Sequence, residues 1–167
     1  KAERTKAQAE MKRYRAEVSG IRRTVKAAGC EVATRHFGSA REDFRRARRR
    51  ADRYDWSGAN TSARKARSHL RDARERGTAV VALLELDEAL ETARRGRRTL
   101  RALALFRDAK RLRRRARWEL SHGTAKQSRA FAEQGARKAR KAYAIASTRT
   151  ARRSSGTWDH GPTASRW

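Results

Sequence analysis

The chain has almost none of the residues that staple, kink or fill a protein interior. Its single cysteine, Cys30, excludes an internal disulfide and points to a reducing compartment or the inside of a particle. Its single proline, Pro162, lies near the end, so proline interrupts no earlier segment. Leu, Ile, Val and Phe together make up well under a fifth of the residues, which at high net charge places the chain near the boundary of intrinsic disorder. No apolar run is long enough to span a bilayer. No signal-peptide pattern is visible, and a start at Lys1 rather than Met is compatible with a processed or partial chain. The apolar stripes are mostly alanine, whereas an interfacial membrane helix needs a broad face of Trp, Phe and Leu; no membrane partner is expected. Catalytic signatures are missing too: there is no phosphate-binding glycine loop, no HExxH and no nucleophile elbow. His36, His69, His122 and His160 are scattered, and Cys30 with His36 is a pair without the further ligands a structural zinc needs. The expectation is a non-enzymatic protein with no cofactor and no metal.

Acids are also scarce. Eighteen Asp and Glu face 45 Lys and Arg, for a formal net charge of +27, where a small domain ordinarily carries a magnitude of roughly 2–8. Such a chain repels itself when compact, so a polyanion is the expected partner. Arg outnumbers Lys about four to one, which suits bidentate phosphate recognition by a planar guanidinium, although a GC-rich coding bias would raise Arg and Ala together.

What is abundant is Ala and Arg, both good helix formers. The predicted fold is all-α: about five Ala/Arg-rich helices in a bundle or coiled-coil-like hairpins over 1–153, with possible sub-units 1–77 and 78–153, and a non-regular tail over 154–167. In the first helix, to about Ala28, the residues Ala7, Met11, Tyr14, Val18, Ile21, Val25 and Ala28 alternate four and three apart, the seam of a coiled coil. A second helix is predicted from the capping box Ser39–Glu42, with Ala40, Phe44, Ala47, Ala51 and Tyr54 as its stripe, ending before a turn at 56–60. A third is predicted over 62–75 with Gly77 after its C-terminus and Thr78 capping the next. The fourth segment, about 79–120, opens with the only strongly apolar stretch, including Leu83, Leu86 and Leu90. This is also the only acidic stretch, with Glu85, Asp87, Glu88 and Glu91; Gly96 marks a bend or break after it. The acids are placed to neutralise a neighbouring basic helix or to receive a basic partner. After a turn at 121–123, the capping box Thr124–Gln127 opens a fifth helix to about Ser147, with Phe131, Gly135, Ala139, Ala142 and Ala146 on one face. Trp158 and Trp167 stand in the tail as candidate anchors. A weak likeness between 48–57 and 113–121 is within reach of chance in so biased a composition.

Four basic runs carry the strongest functional signal. They are Arg45, Arg46, Arg48, Arg49, Arg50 and Arg53; Arg94, Arg95, Arg97, Arg98 and Arg101; Lys110, Arg111, Arg113, Arg114, Arg115 and Arg117; and Arg137, Lys138, Arg140 and Lys141. A helix turns about 100° per residue, so runs this dense surround it, and like charges at i, i+4 oppose helix formation unless counter-charges arrive. Tyr54, Trp56 and Trp118 flank these runs and are candidates for stacking on unpaired bases, or for capping the apolar seams. Met11, Tyr14, Val18, Ile21 and Val25, with Leu83, Leu86 and Leu90, are the candidates for helix pairing, within the chain or between copies. No motif reads sequence. The expected function is a structural nucleic-acid-binding protein of low sequence specificity, RNA or DNA, inside a ribonucleoprotein, virion or nucleoid assembly with other subunits. A coiled-coil assembly or scaffold protein of capsid type, and an accessory domain of a nucleic-acid-processing enzyme, are the alternatives.

Overall fold

The computed structural model describes residues 1–95 and 99–154, with side chains through Thr148. Gly96, Arg97, Arg98 and the tail with His160, Trp158 and Trp167 lie outside the described residues. The fold is all-α, five helices packed against each other: α1 (Ala2–Ala28), α2 (Glu31–Asp52), α3 (Trp56–Arg94), α4 (Leu100–His122) and α5 (Ala125–Ser154).

The organising element is α3, a single helix of 39 residues. Its first half packs with α1 and α2, its second half with α4 and α5. Each half has its own core. The first is built from Tyr14, Ile21 and Val25 of α1, Ala33 and Ala40 of α2, and Ala66, Leu70 and Ala73 of α3, with Val18, Cys30, Phe37 and Phe44 packed against it. The second holds Leu83, Leu86 and Leu90 of α3, Phe106 and Ala109 of α4, and Ala132, Ala136, Ala139 and Ala142 of α5. Of the predicted pairing residues, Tyr14, Val18, Ile21, Val25, Leu83, Leu86 and Leu90 thus pack between helices within the chain, whereas Met11 is half-buried and belongs to neither core.

Most of the buried apolar residues are alanines. With so little side-chain volume between them, helices must approach closely, and glycine sets the approach at two crossings. A Cβ on Gly77 would lie 3.3 Å from Thr24 Cγ2 of α1. A Cβ on Gly135 would lie 2.9 Å from Leu86 Cδ2.

Three predicted boundaries are corrected. Gly77 and Thr78 do not separate two helices; α3 runs straight through them because Gly77 serves the contact with Thr24 rather than a C-terminus. Segment 56–60 is not a turn but the opening of α3, capped by Asp55, whose side chain accepts from the Gly58 backbone N–H at 2.9 Å. The Ser39–Glu42 capping box is internal to α2, which starts at Glu31 instead, directly after α1 ends at Gly29 in the left-handed conformation (φ 58°). The 79–120 segment, predicted as one unit with a bend or break at Gly96, is divided between two helices: α3 ends at Arg94 and α4 starts after Thr99, which accepts from the Ala102 N–H. Thr124 caps α5 as predicted, accepting from the Gln127 N–H at 3.2 Å.

Candidate nucleic-acid interface

Two seams run along α1, and their chemistry differs. On the α3 side, Arg67 bridges two of the three acids of α1, donating to Glu10 Oε2 at 2.9 Å and to Glu17 Oε1 at 3.0 Å. The Arg67 hydrogen bond holds the Glu10 carboxyl below the usual carboxylate range, against the opposing effect of burial. On this side, then, acids of α1 meet a cation of α3, although Arg64, Arg71 and Arg74 leave it basic.

The α2 side has no such acid. Tyr14, Val18, Phe37 and Phe44 form the floor of an open groove of about 820 Å³. Its walls carry Arg22, Arg23 and Lys26 from α1, and Arg41, Arg45 and Arg48 from α2, with Ser19 between them. The walls follow from helix periodicity. On α2, 41, 45 and 48 are spaced four and three apart and share a face; on α1, 22 and 26 flank the seam at Ile21 and Val25. On the floor the Tyr14 and Phe44 rings stack at 4.1 Å with 8° between planes, and the Arg15 guanidinium lies 5.8 Å above Phe44. Burial pushes the Tyr14 phenol up, against the pull of Arg41 and Arg45, so the floor stays uncharged at neutral pH. A concave apolar surface of this size ringed by exposed cations suits a ligand with a flat apolar part and several negative charges.

Of the residues singled out from the sequence, only Arg45 and Arg48, with Tyr14 and Val18 from the pairing seam and Phe44 from the stripe of the second helix, line this groove. On α2 the arginines do not surround the helix completely: Arg45, Arg46, Arg48 and Arg49 are exposed, whereas Ala40 and Ala47 hold the core side. Several candidates serve internal pairs. Arg46 donates to Asp43 at 3.0 Å, Arg50 donates to the Gly58 carbonyl at 3.1 Å and sits 3.9 Å from Asp55, and Arg94 lies 3.8 Å from Glu91. Asp87 accepts from both Arg113 and Arg117 of α4, so one acid of the 79–91 stretch pairs with the neighbouring basic helix while most of that helix's cations stay unpaired by it. Lys138 donates to Asp108 at 2.7 Å and holds that carboxyl below its usual range. Lys110 and Arg115 lie over the Phe106 and Phe131 rings, at 5.4 Å and 4.6 Å. Arg49, Arg53, Arg95, Arg101, Arg111, Arg114, Arg137, Arg140 and Lys141 are exposed and form no ion pair among the described residues.

The three candidate stacking residues lie outside the groove. Tyr54 is 81% exposed at the α2–α3 turn, edge-on to Trp56, which is half-buried under the Arg4 guanidinium at 5.4 Å. Trp118, 57% exposed, stacks on His122 at 5.4 Å. Arg22, Arg23, Lys26 and Arg41 were missed because a search for dense runs passes over cations spread along two helices. The usable signal was the aromatic pair Phe37 and Phe44 on the helix following a seam that contains Tyr14.

Among the described residues no helix is long and apolar enough to cross a membrane. No protein-family model matches the chain, and no curated protein and no solved structure is similar to it. The reading of the groove therefore rests on its own geometry.

Proposed function

We propose that this protein is a non-enzymatic nucleic-acid-binding protein of low sequence specificity, and that the α1–α2 groove is its principal contact with unpaired strands. The observation that carries the reading is the conjunction of an aromatic floor with six cations and no acid in one groove. Unpaired nucleic acid fits that conjunction because each nucleotide supplies one phosphate and one flat base, and base–aromatic stacking tolerates any sequence. The guanidinium and ammonium groups neutralise phosphates and release counterions. The exposed arginines of α4 and α5 add a diffuse field that raises the encounter rate. RNA and DNA offer the same phosphates and bases to such a groove, and a place in a larger nucleoprotein assembly accords with the surplus charge.

The test is fluorescence anisotropy with single-stranded oligonucleotides over a salt series. If all six groove cations meet phosphates, the slope of log K against log salt is about −4, at roughly −0.7 per phosphate for single strands. The triple substitution Arg41→Gln, Arg45→Gln, Arg48→Gln is expected to halve that slope, whereas Arg111→Gln, Arg114→Gln, Arg137→Gln, outside the groove and equal in charge, leaves most of it. Equal losses from both triples would reduce the groove to a share of the bulk charge. Weak binding at low salt by an oligomer that nuclease leaves intact would instead favour the assembly protein.

A further inference from the structure

We propose that His36, His69 and Asp72 form a binding site for a divalent transition-metal ion, zinc foremost, on the seam between α2 and α3. His69 and Asp72 are three residues apart on α3 and share a face; the packing of α2 brings His36 against them. One nitrogen of each imidazole and one carboxylate oxygen of Asp72 all lie within 4.8 Å of one another. Some point therefore lies within about 2.8 Å of all three, so side-chain rotations of under about 1 Å reach the zinc–ligand distances of roughly 2.0–2.2 Å.

Two further observations favour a cation there. The Nδ1 atom of His69 is buried and has no hydrogen-bond partner among the described residues. A buried ring nitrogen left in that state is costly, and coordination is one of the few ways to satisfy it. On its other edge, His69 Nε2 lies 3.6 Å from Asp43 Oδ2. Asp43 is itself buried and held by Arg46 at 3.0 Å. A carboxylate behind a histidine is the usual outer partner of a metal-binding imidazole, and Asp43 stands in that place, just beyond hydrogen-bond distance. The His36 and His69 rings, at 5.9 Å between centroids and 38° between planes, are tilted rather than stacked.

Two imidazoles and one carboxylate select the donor preference of zinc, cobalt or nickel over magnesium and calcium, which take oxygen ligands. All three residues are half-buried, which leaves a side for water as a further ligand. The ion would tie α2 to α3 across a seam otherwise built largely of alanine, and so stiffen the helix that carries one wall of the groove. The site stands independently of the nucleic-acid reading.

The experiment is cobalt(II) titration of the chelator-treated full chain, followed by its visible d–d absorption and by displacement with zinc. Expected are one ion per chain, a zinc-dependent rise in melting temperature, and no change with Cys30→Ser or His122→Ala. His36→Ala and His69→Ala abolish the signal, and Asp43→Asn weakens affinity by about 10–100-fold without changing the stoichiometry. Zinc-induced shifts of the His36 and His69 ring protons in the unsubstituted protein give the same answer should a variant not fold. No binding at micromolar metal, binding that survives both histidine substitutions, or shifts confined to His122 would each overturn the proposal.

Discussion

Leu86 of α3 and Gly135 of α5 meet with no room for one more carbon: a Cβ on Gly135 would lie 2.9 Å and 3.0 Å from the two Leu86 methyls and 3.3 Å from Leu112 Cβ. Leu86 is fully buried, so it cannot swing away into solvent. Gly135→Ala gains about 1 kcal/mol of helix propensity but meets an overpacking cost of roughly 1–3 kcal/mol. The expected net result is a destabilisation of about 1 kcal/mol by chemical denaturation. Gly20→Ala and Gly38→Ala are the counterparts. A Cβ there meets nothing within 4 Å, and each substitution is expected to stabilise by up to about 1 kcal/mol. A stabilised Gly135→Ala would refute the close contact.

The Glu10–Arg67 pair sets a pH dependence. The folded carboxyl is held below its ordinary 4.5, so the protein binds this proton less readily than the unfolded chain does. Its stabilising contribution is fully present above the unfolded value and is lost as pH falls through the folded one. Stability measured by urea denaturation is expected to be level above pH 4.5 in this respect and to decline below it. Glu10→Gln should lower the neutral-pH plateau and flatten part of that decline.

Tyr54 occupies the left-handed region at φ 63° while 81% exposed. A side chain other than Gly, Asn or Asp is strained there, by roughly 1–2 kcal/mol, and so exposed a ring has little packing to lose. Tyr54→Gly is expected to raise stability by about 1 kcal/mol. Should Tyr54 stack on bases, the same variant binds single strands more weakly while melting higher; unchanged binding would assign its conformation to the turn alone.

Asp87 restrains two arginines of α4, and Asp87→Asn removes that restraint. Partly exposed pairs contribute roughly 0–1 kcal/mol each, so a loss of about 1 kcal/mol is expected. The released Arg113 and Arg117 add to the basic field, and affinity for oligonucleotides at low salt should rise. A variant both less stable and no tighter in binding would count against α4 as part of the electrostatic surface.

Helix content was legible in the sequence because propensity and the absence of proline act residue by residue. The seam of α1 was legible as well, since Tyr14, Ile21 and Val25 recur at a period only one packed face explains. Boundaries failed where a local motif competed with packing. Ser39 and Glu42 spell a capping box, yet α2 continues through them, with Phe37 and Phe44 against the first core on either side. Gly77 spells a terminator, yet Thr24 needs the space of its missing side chain. Both candidate sites depend on residues distant in sequence: Arg22 meets Arg45 across a hairpin, and His36 meets His69 and Asp72 only through the packing of α2 on α3. Periodicity identifies which face is buried, but not which partner covers it.

The alanine interior has a calorimetric consequence. Heat capacity of unfolding follows the apolar area that water newly wets, and a methyl group uncovers little of it. This protein should melt with a smaller heat-capacity step than others of its length, along a broad, shallow curve of free energy against temperature. Cooling would then weaken it less than it weakens proteins with leucine-filled cores.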